Sequence, residues 1–174
     1  MQRELISIPK ILLYIAFTVF LFVFQTSILG AHPLFGYHLD LLPAAVAAAA
    51  LLDGPVEGAA VGFTAGLLYD VGLIGVDGLY PIYFLLFGLA GGAFSRLALA
   101  GGFLSMVLMN AVEMLLFGML RYFVQLMPQG ASFLLVLLQT VGGTLIACVL
   151  CALVYLPMRR ISRRFSRDDR WFFR

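Results

Sequence analysis

Gly58, Gly62 and Gly66 recur at spacing four within an otherwise apolar stretch, DGPVEGAAVGFTAGLLYDVGLIGVDGLY (53–80). On a helix that spacing puts them in one row, a groove without side chains into which another backbone can move. In a water-soluble helix each glycine would cost about 1 kcal/mol relative to alanine. In a membrane the row has a use, because helices there associate through close packing of small residues and not through exclusion from water. Gly88 and Gly92 repeat the pattern in the next apolar run. Asp70 closes the helix at the end of the first row, and a turn ending in Asp77 and Gly78 leads into the following helix.

The remainder of the chain selects the membrane setting. With 63% hydrophobic residues, 11% charged residues and mean hydropathy +1.04 over 174 positions, the apolar surface exceeds what one small soluble core can hide. The expected fold is an all-α integral membrane bundle of six helices, a single transmembrane domain over 1–174 with a basic cytoplasmic tail at 157–174. The run at 11–29 is too long for a signal-peptide core and reads as a retained first span. Asp40 can cap a second helix, with Pro43 in its first turn. That helix, LLPAAVAAAALL, stops at Asp53 and Gly54 after about a dozen residues, roughly 18 Å. Pro55 starts a third helix reaching about residue 69. The pair forms a tight Gly/Ala-rich hairpin that either crosses twice or re-enters, and both choices return the chain to the same side. Further helices are expected at 79–99, 103–124 and 133–156.

Charge placement sets the orientation. With six spans and a cytoplasmic N-terminus, the inner side receives Arg3, Lys10, Arg96 and the seven arginines of the last sixteen positions, while the outer side receives only Arg121. That satisfies the positive-inside rule and places both termini at the inner face of a cytoplasmic membrane. In the tail, Met158, Ile161, Phe165 and Phe172 share a helical stripe with most arginines off it. Such a segment fits either a helix lying on anionic lipid headgroups or a disordered topology signal.

Few residues could carry chemistry. Glu113, in the middle of the fifth helix, shares a face with Asn110, Phe117 and Arg121, and an ionisable group there marks function by default. It suits a polar network between helices, a partner-binding position or an ion site, and a lone carboxylate makes a poor relay. Asp70 and Asp77 can cap helix ends and bond turn amides or present acceptors to a partner. Cys148 and Cys151 form a CxxC inside an apolar run, without a base or a second pair, and read as packing. His32 and His38 lack companions at ligand spacing. No serine has a neighbouring histidine or a glycine elbow, and phosphate-loop, dinucleotide and zinc motifs are missing. Neither a reaction nor a cofactor is expected.

The run 40–92 resembles the rod shape-determining protein MreD family. The matching residues are the Asp40 helix start, Gly54 and Pro55 at the inner turn, Gly58, GFTAGLLYD at 62–70, and Gly78 ahead of the fourth helix. HLD stands where the family more often has a proline before the aspartate. The resemblance implies a non-catalytic subunit of the bacterial elongation machinery that binds the single-span protein MreC. Through MreC it would couple MreB filaments to RodA and its transpeptidase partner in lateral peptidoglycan synthesis. It also implies a fold similar to the six-helix substrate-binding subunits of energy-coupling-factor vitamin transporters. A transporter subunit is therefore the alternative function. That alternative expects a polar, aromatic pocket near the outer face, for which only Asn110, Glu113, Arg121 and Gln125 are present. It also expects small residues on the first helix, which offers only Ala16. A proton-coupled carrier would need paired acidic groups and inverted repeats.

Overall fold

The computed structural model describes residues 8–29, 40–72, 78–98, 102–130 and 132–168. Among these every element is helical: α1 (Ile8–Phe24), α2 (Leu42–Asp53), α3 (Pro55–Gly72), α4 (Leu79–Ala98), α5 (Phe103–Arg121) and α6 (Phe133–Asp168), with π turns at Gln25–Leu29 and Tyr122–Leu126. The windows Ile8–Ser27, Phe103–Val124 and Phe133–Phe165 are long and apolar enough to cross a bilayer. The chain is an α-helical membrane protein.

The bundle is built around α2. From Leu42 to Ala50 every residue is buried, most of them completely, and a helix that is apolar on all sides belongs at the centre of a structure. Its six alanines hold the surrounding helices at short range, and α3, α4, α5, α6 and α1 all pack on it. α2 stops at Gly54, whose φ of 103° is a left-handed conformation that favours glycine. The Gly54 amide donates to Ala50 O at 3.1 Å, and the Gly58 amide donates to Gly54 O at 3.0 Å. Pro55, which has no amide hydrogen to leave unpaired, occupies the first position of α3.

α3 and α4 then close against each other along their glycine rows, running antiparallel. A Cβ placed on Gly58 would meet Gly88 O at 2.7 Å and Ala50 at 2.8 Å, and one on Gly62 would overlap the Phe84 carbonyl. One on Gly66 would strike Pro81 and the Tyr80 carbonyl carbon, and the reciprocal additions on Gly88 and Gly92 would strike the Gly58 carbonyl and the Gly54–Pro55 turn. Nearly all of these neighbours are backbone atoms. The two rows are thus spent on each other and on the α2–α3 turn.

Three sequence expectations change. Asp40 does not cap α2, whose N-cap is Leu41 with no side-chain cap bond. Gln25, on the π turn after α1, takes that place: its Oε1 accepts from the Leu41 amide at 2.7 Å while its Nε2 donates to Asp40 Oδ1 at 3.0 Å. α3 does not stop at Asp70 but runs to Gly72, and the Asp70 carboxylate accepts from the Gly78 amide at 2.6 Å across the turn. Finally, α6 does not end near residue 156. It continues through Pro157 to Asp168 as one helix of 36 residues, so no break separates the basic segment from the apolar one.

Candidate functional site

Polar side chains gather at three levels of the bundle. The first is the end that carries the α2–α3 turn. Asp53, the last residue of α2, pairs with Lys10 of α1 at 2.5 Å, accepts from the Ser162 hydroxyl of α6 at 2.8 Å and accepts from the Tyr14 hydroxyl of α1. Glu57, on the first turn of α3, stands 3.7 Å from the same ammonium. Side-chain exposure is 14% for Lys10, 6% for Asp53 and 12% for Glu57. The charges are therefore mostly desolvated, which makes their pairing matter far more than a surface ion pair would. One carboxylate thus ties together both ends of the chain and the central hairpin. Sequence reading treated Asp53 as a helix stop and Lys10 as a topology charge. Lys10 and Tyr14 share a helix face at i and i+4, a visible hint, but nothing local pointed to Asp53 or Ser162.

The second level is the middle of the bundle. Asn110 and Glu113 on α5 are completely buried. Both Glu113 carboxyl oxygens and Asn110 Oδ1 lack a hydrogen-bond partner, while Asn110 Nδ2 lies 3.9 Å from Met114 Sδ. Tyr83 of α4 donates to the Glu113 main-chain carbonyl at 2.9 Å and not to the carboxyl. Cys148 lies near Asn110, and Cys151 near Glu113. Asn110, Glu113 and Arg121 share a face of α5, but no hydrogen bond joins Glu113 to the other two. Glu113→Met is therefore expected to raise thermal stability in detergent by about 1–3 kcal/mol, the usual cost of burying an unmet polar group. A fall in melting temperature would count against this reading.

The third level is the opposite end. Arg121, at the last turn of α5, borders a cavity of about 140 Å³ lined also by Asp40, Phe117, Val136, Gln139 and Thr140. Arg121 Nε is buried without a partner. Behind Phe117, Tyr69 and Tyr80 place two further buried hydroxyls without hydrogen-bond geometry to any acceptor, although Tyr69 stands beside Asp40 and Gln25. Their rings form an aromatic cluster with Phe84 and Phe117, with Tyr69 stacked on Phe84 at 5.3 Å and Phe84 5.1 Å from Phe117. This cluster joins α3, α4 and α5 at the cavity floor.

Asp77, His32, His38 and Phe172 lie outside the described residues, as do the side chains of Arg96 and Gln125. Among the described residues no three His, Cys, Asp or Glu side chains gather into a group that could hold a metal ion. No family model, curated protein or solved structure matches the chain.

Proposed function

We propose that this protein is a non-catalytic scaffold subunit of the bacterial elongation complex, a member of the MreD type. In that role it binds MreC in the cytoplasmic membrane and, through MreC, connects MreB filaments with RodA and its transpeptidase partner. One observation carries the reading: apart from Asp40, which does not cap α2, the described residues that resemble MreD occupy positions where the fold needs them. Gly54 reverses the chain, Pro55 opens α3, Gly58, Gly62 and Gly66 admit the α4 backbone, and Asp70 holds the amide of Gly78. A motif whose members pack and cap is suited to a rigid docking body and has no need of reacting groups. The glycine rows face inward, so the outer helix faces are left for partners.

Two features support an inner location for both termini. Lys10, the α2–α3 turn and Ser162 share one end of the bundle, and Arg121 stands at the other, in keeping with the positive-inside rule. The alternative, a vitamin-binding subunit of an energy-coupling-factor transporter, draws on the cavity beside Arg121. That cavity, at about 140 Å³, falls below the roughly 300 Å³ at which small-molecule pockets begin.

Affinity capture of the tagged protein from native membranes, with partners identified by mass spectrometry, separates the two readings. Wall-synthesis proteins are the expected catch, and an ATPase with its coupling subunit would favour the transporter. Glu113, wholly buried and without a partner for its carboxyl, has no surface to offer MreC, so Glu113→Gln is expected to leave both partner recovery and vitamin uptake unchanged. Loss of uptake would reverse the assignment.

A further inference from the structure

Beyond Pro157 the outer face of α6 changes from apolar to cationic without a break in the helix. At about 100° per residue, Arg159, Arg160, Arg163 and Arg164 fall within an arc of about 140°. Leu145, Val149, Leu153 and Leu156, which are 55–77% exposed, lie on the same arc nearer the middle of the helix. The opposite side is docked: Met158 is completely buried, Ile161 packs on the core, and the Ser162 hydroxyl donates to Asp53. The arginines are therefore held outward on a face that, one turn earlier, meets lipid tails. Arg160, Arg163 and Arg164 are exposed, and among the described residues none of the four arginines enters an ion pair. The carboxylates at this level, Asp53 and Glu57, are both engaged by Lys10.

We propose that this arc binds one phospholipid carrying two phosphates, with acyl chains along Val149, Leu153 and Leu156 and the phosphates against the arginines. Depth favours a lipid over an acidic segment of another protein. From Phe133, α6 rises about 40 Å to Arg160 and about 46 Å to Arg164, against about 40–45 Å for a bilayer with both headgroup layers. The cations thus stand at the level of phosphates and not in free water beyond them. Register selects the headgroup. Residues four apart are neighbours on a helix, so Arg159 with Arg163 and Arg160 with Arg164 make two adjacent pairs, each suited to charge-assisted contact with one phosphate. Arg159 lies over the Tyr155 ring at 5.6 Å, and Tyr155 packs on Phe103 of α5 at 5.5 Å, which fixes one edge of the site. A lipid with a single phosphate fills one pair and leaves the other uncompensated. Two phosphates on one glycerol fill both, because the second contact is made within the same molecule. Basic clusters at the end of a span are suited to such headgroups. The site is independent of the partner assignment above.

Native mass spectrometry of delipidated protein, titrated separately with cardiolipin, phosphatidylglycerol and phosphatidylethanolamine, tests the proposal. One cardiolipin is expected to stay bound through activation energies that strip the other two. The double variant Arg160→Gln/Arg164→Gln should weaken its retention about tenfold or more, as expected for loss of charge-assisted contacts. Both side chains are exposed, so the variant should unfold at the wild-type temperature. Arg160→Lys/Arg164→Lys keeps the charge without the planar fork and should restore part of the retention. Oligoglutamate forms a separate arm read by thermal shift. Protection by it equal to that given by cardiolipin would make the arc a surface for an acidic protein and overturn the lipid assignment. Equal retention of phosphatidylglycerol, or unchanged retention of cardiolipin in the glutamine variant, would also overturn it.

Discussion

Gly62→Leu is expected to leave no stably accumulating protein in the membrane, and Gly62→Ala to lower stability despite improving the helix propensity of α3. In an isolated helix the alanine would gain about 1 kcal/mol over glycine. Here its Cβ would overlap the carbonyl oxygen and carbon of Phe84, which are backbone atoms on a helix that cannot shift alone. Gly58 and Gly66 sit one turn to either side, each against the same facing helix. Room for a methyl at position 62 therefore requires the whole α3–α4 seam to part, with loss of the close contacts that hold membrane helices together. Overpacking of this kind typically costs about 1–3 kcal/mol for a methyl, and a leucine side chain adds three more carbons in the same gap. Gly91→Ala provides the control. Its Cβ would meet Met109 Cε at 2.5 Å, the far end of a flexible side chain that can swing away, so that variant should accumulate normally. The comparison reads membrane-inserted protein by fluorescence size-exclusion chromatography. Wild-type accumulation of Gly62→Leu would show that the α3–α4 seam is not what holds the bundle together.

How far such positions can be read from sequence depends on how local their reasons are. The brevity of α2 was visible because Pro43, Asp53, Gly54 and Pro55 are start and stop signals within a dozen residues. The glycine spacing announced a close approach for the same reason. The expectation for Asp40 failed because a cap is a competition: Gln25, fifteen residues upstream, reaches the Leu41 amide and holds Asp40 as well. The basic segment after residue 156 is set apart in the sequence by the change from apolar to arginine-rich composition, and Pro157 would by itself remove a helix hydrogen bond and crowd the preceding turn. Yet α6 passes through Pro157, since Val154, Tyr155 and Met158 around it are buried and Ser162 is fastened to Asp53. Tertiary contacts on both sides of the proline outweigh its local cost. Glu113 could be singled out from its place in an apolar run, but the lack of a partner for its carboxyl is a fact of packing between helices and leaves no trace in spacing.

Asp53→Ala should give the second-largest loss, about 3 kcal/mol in thermal or chemical unfolding from detergent. Breaking a desolvated ion pair from one side typically costs about 3–5 kcal/mol, because the abandoned charge stays buried. The lower end applies because Lys10 keeps Glu57 at 3.7 Å, and the Tyr14 hydroxyl keeps the Met158 carbonyl at 3.3 Å. Ser162→Ala removes one hydrogen bond to the same carboxylate and should cost about 1 kcal/mol. Lys10→Met combined with Asp53→Leu should recover much of the loss, since an apolar pair of similar volume often replaces a buried ion pair at no net cost. The position of Asp53 adds a spatial signature. It joins α1 and the central hairpin to the part of α6 beyond Pro157, so Asp53→Ala should speed amide exchange in residues 158–165 more than in the apolar half of α6. Uniform acceleration along α6, or a loss no greater than that of Ser162→Ala, would mean that the ion pair does not organise this end. The basic segment would then be held upright by the buried faces of Val154, Tyr155 and Met158, with the Asp53 carboxylate adding only one hydrogen bond among several.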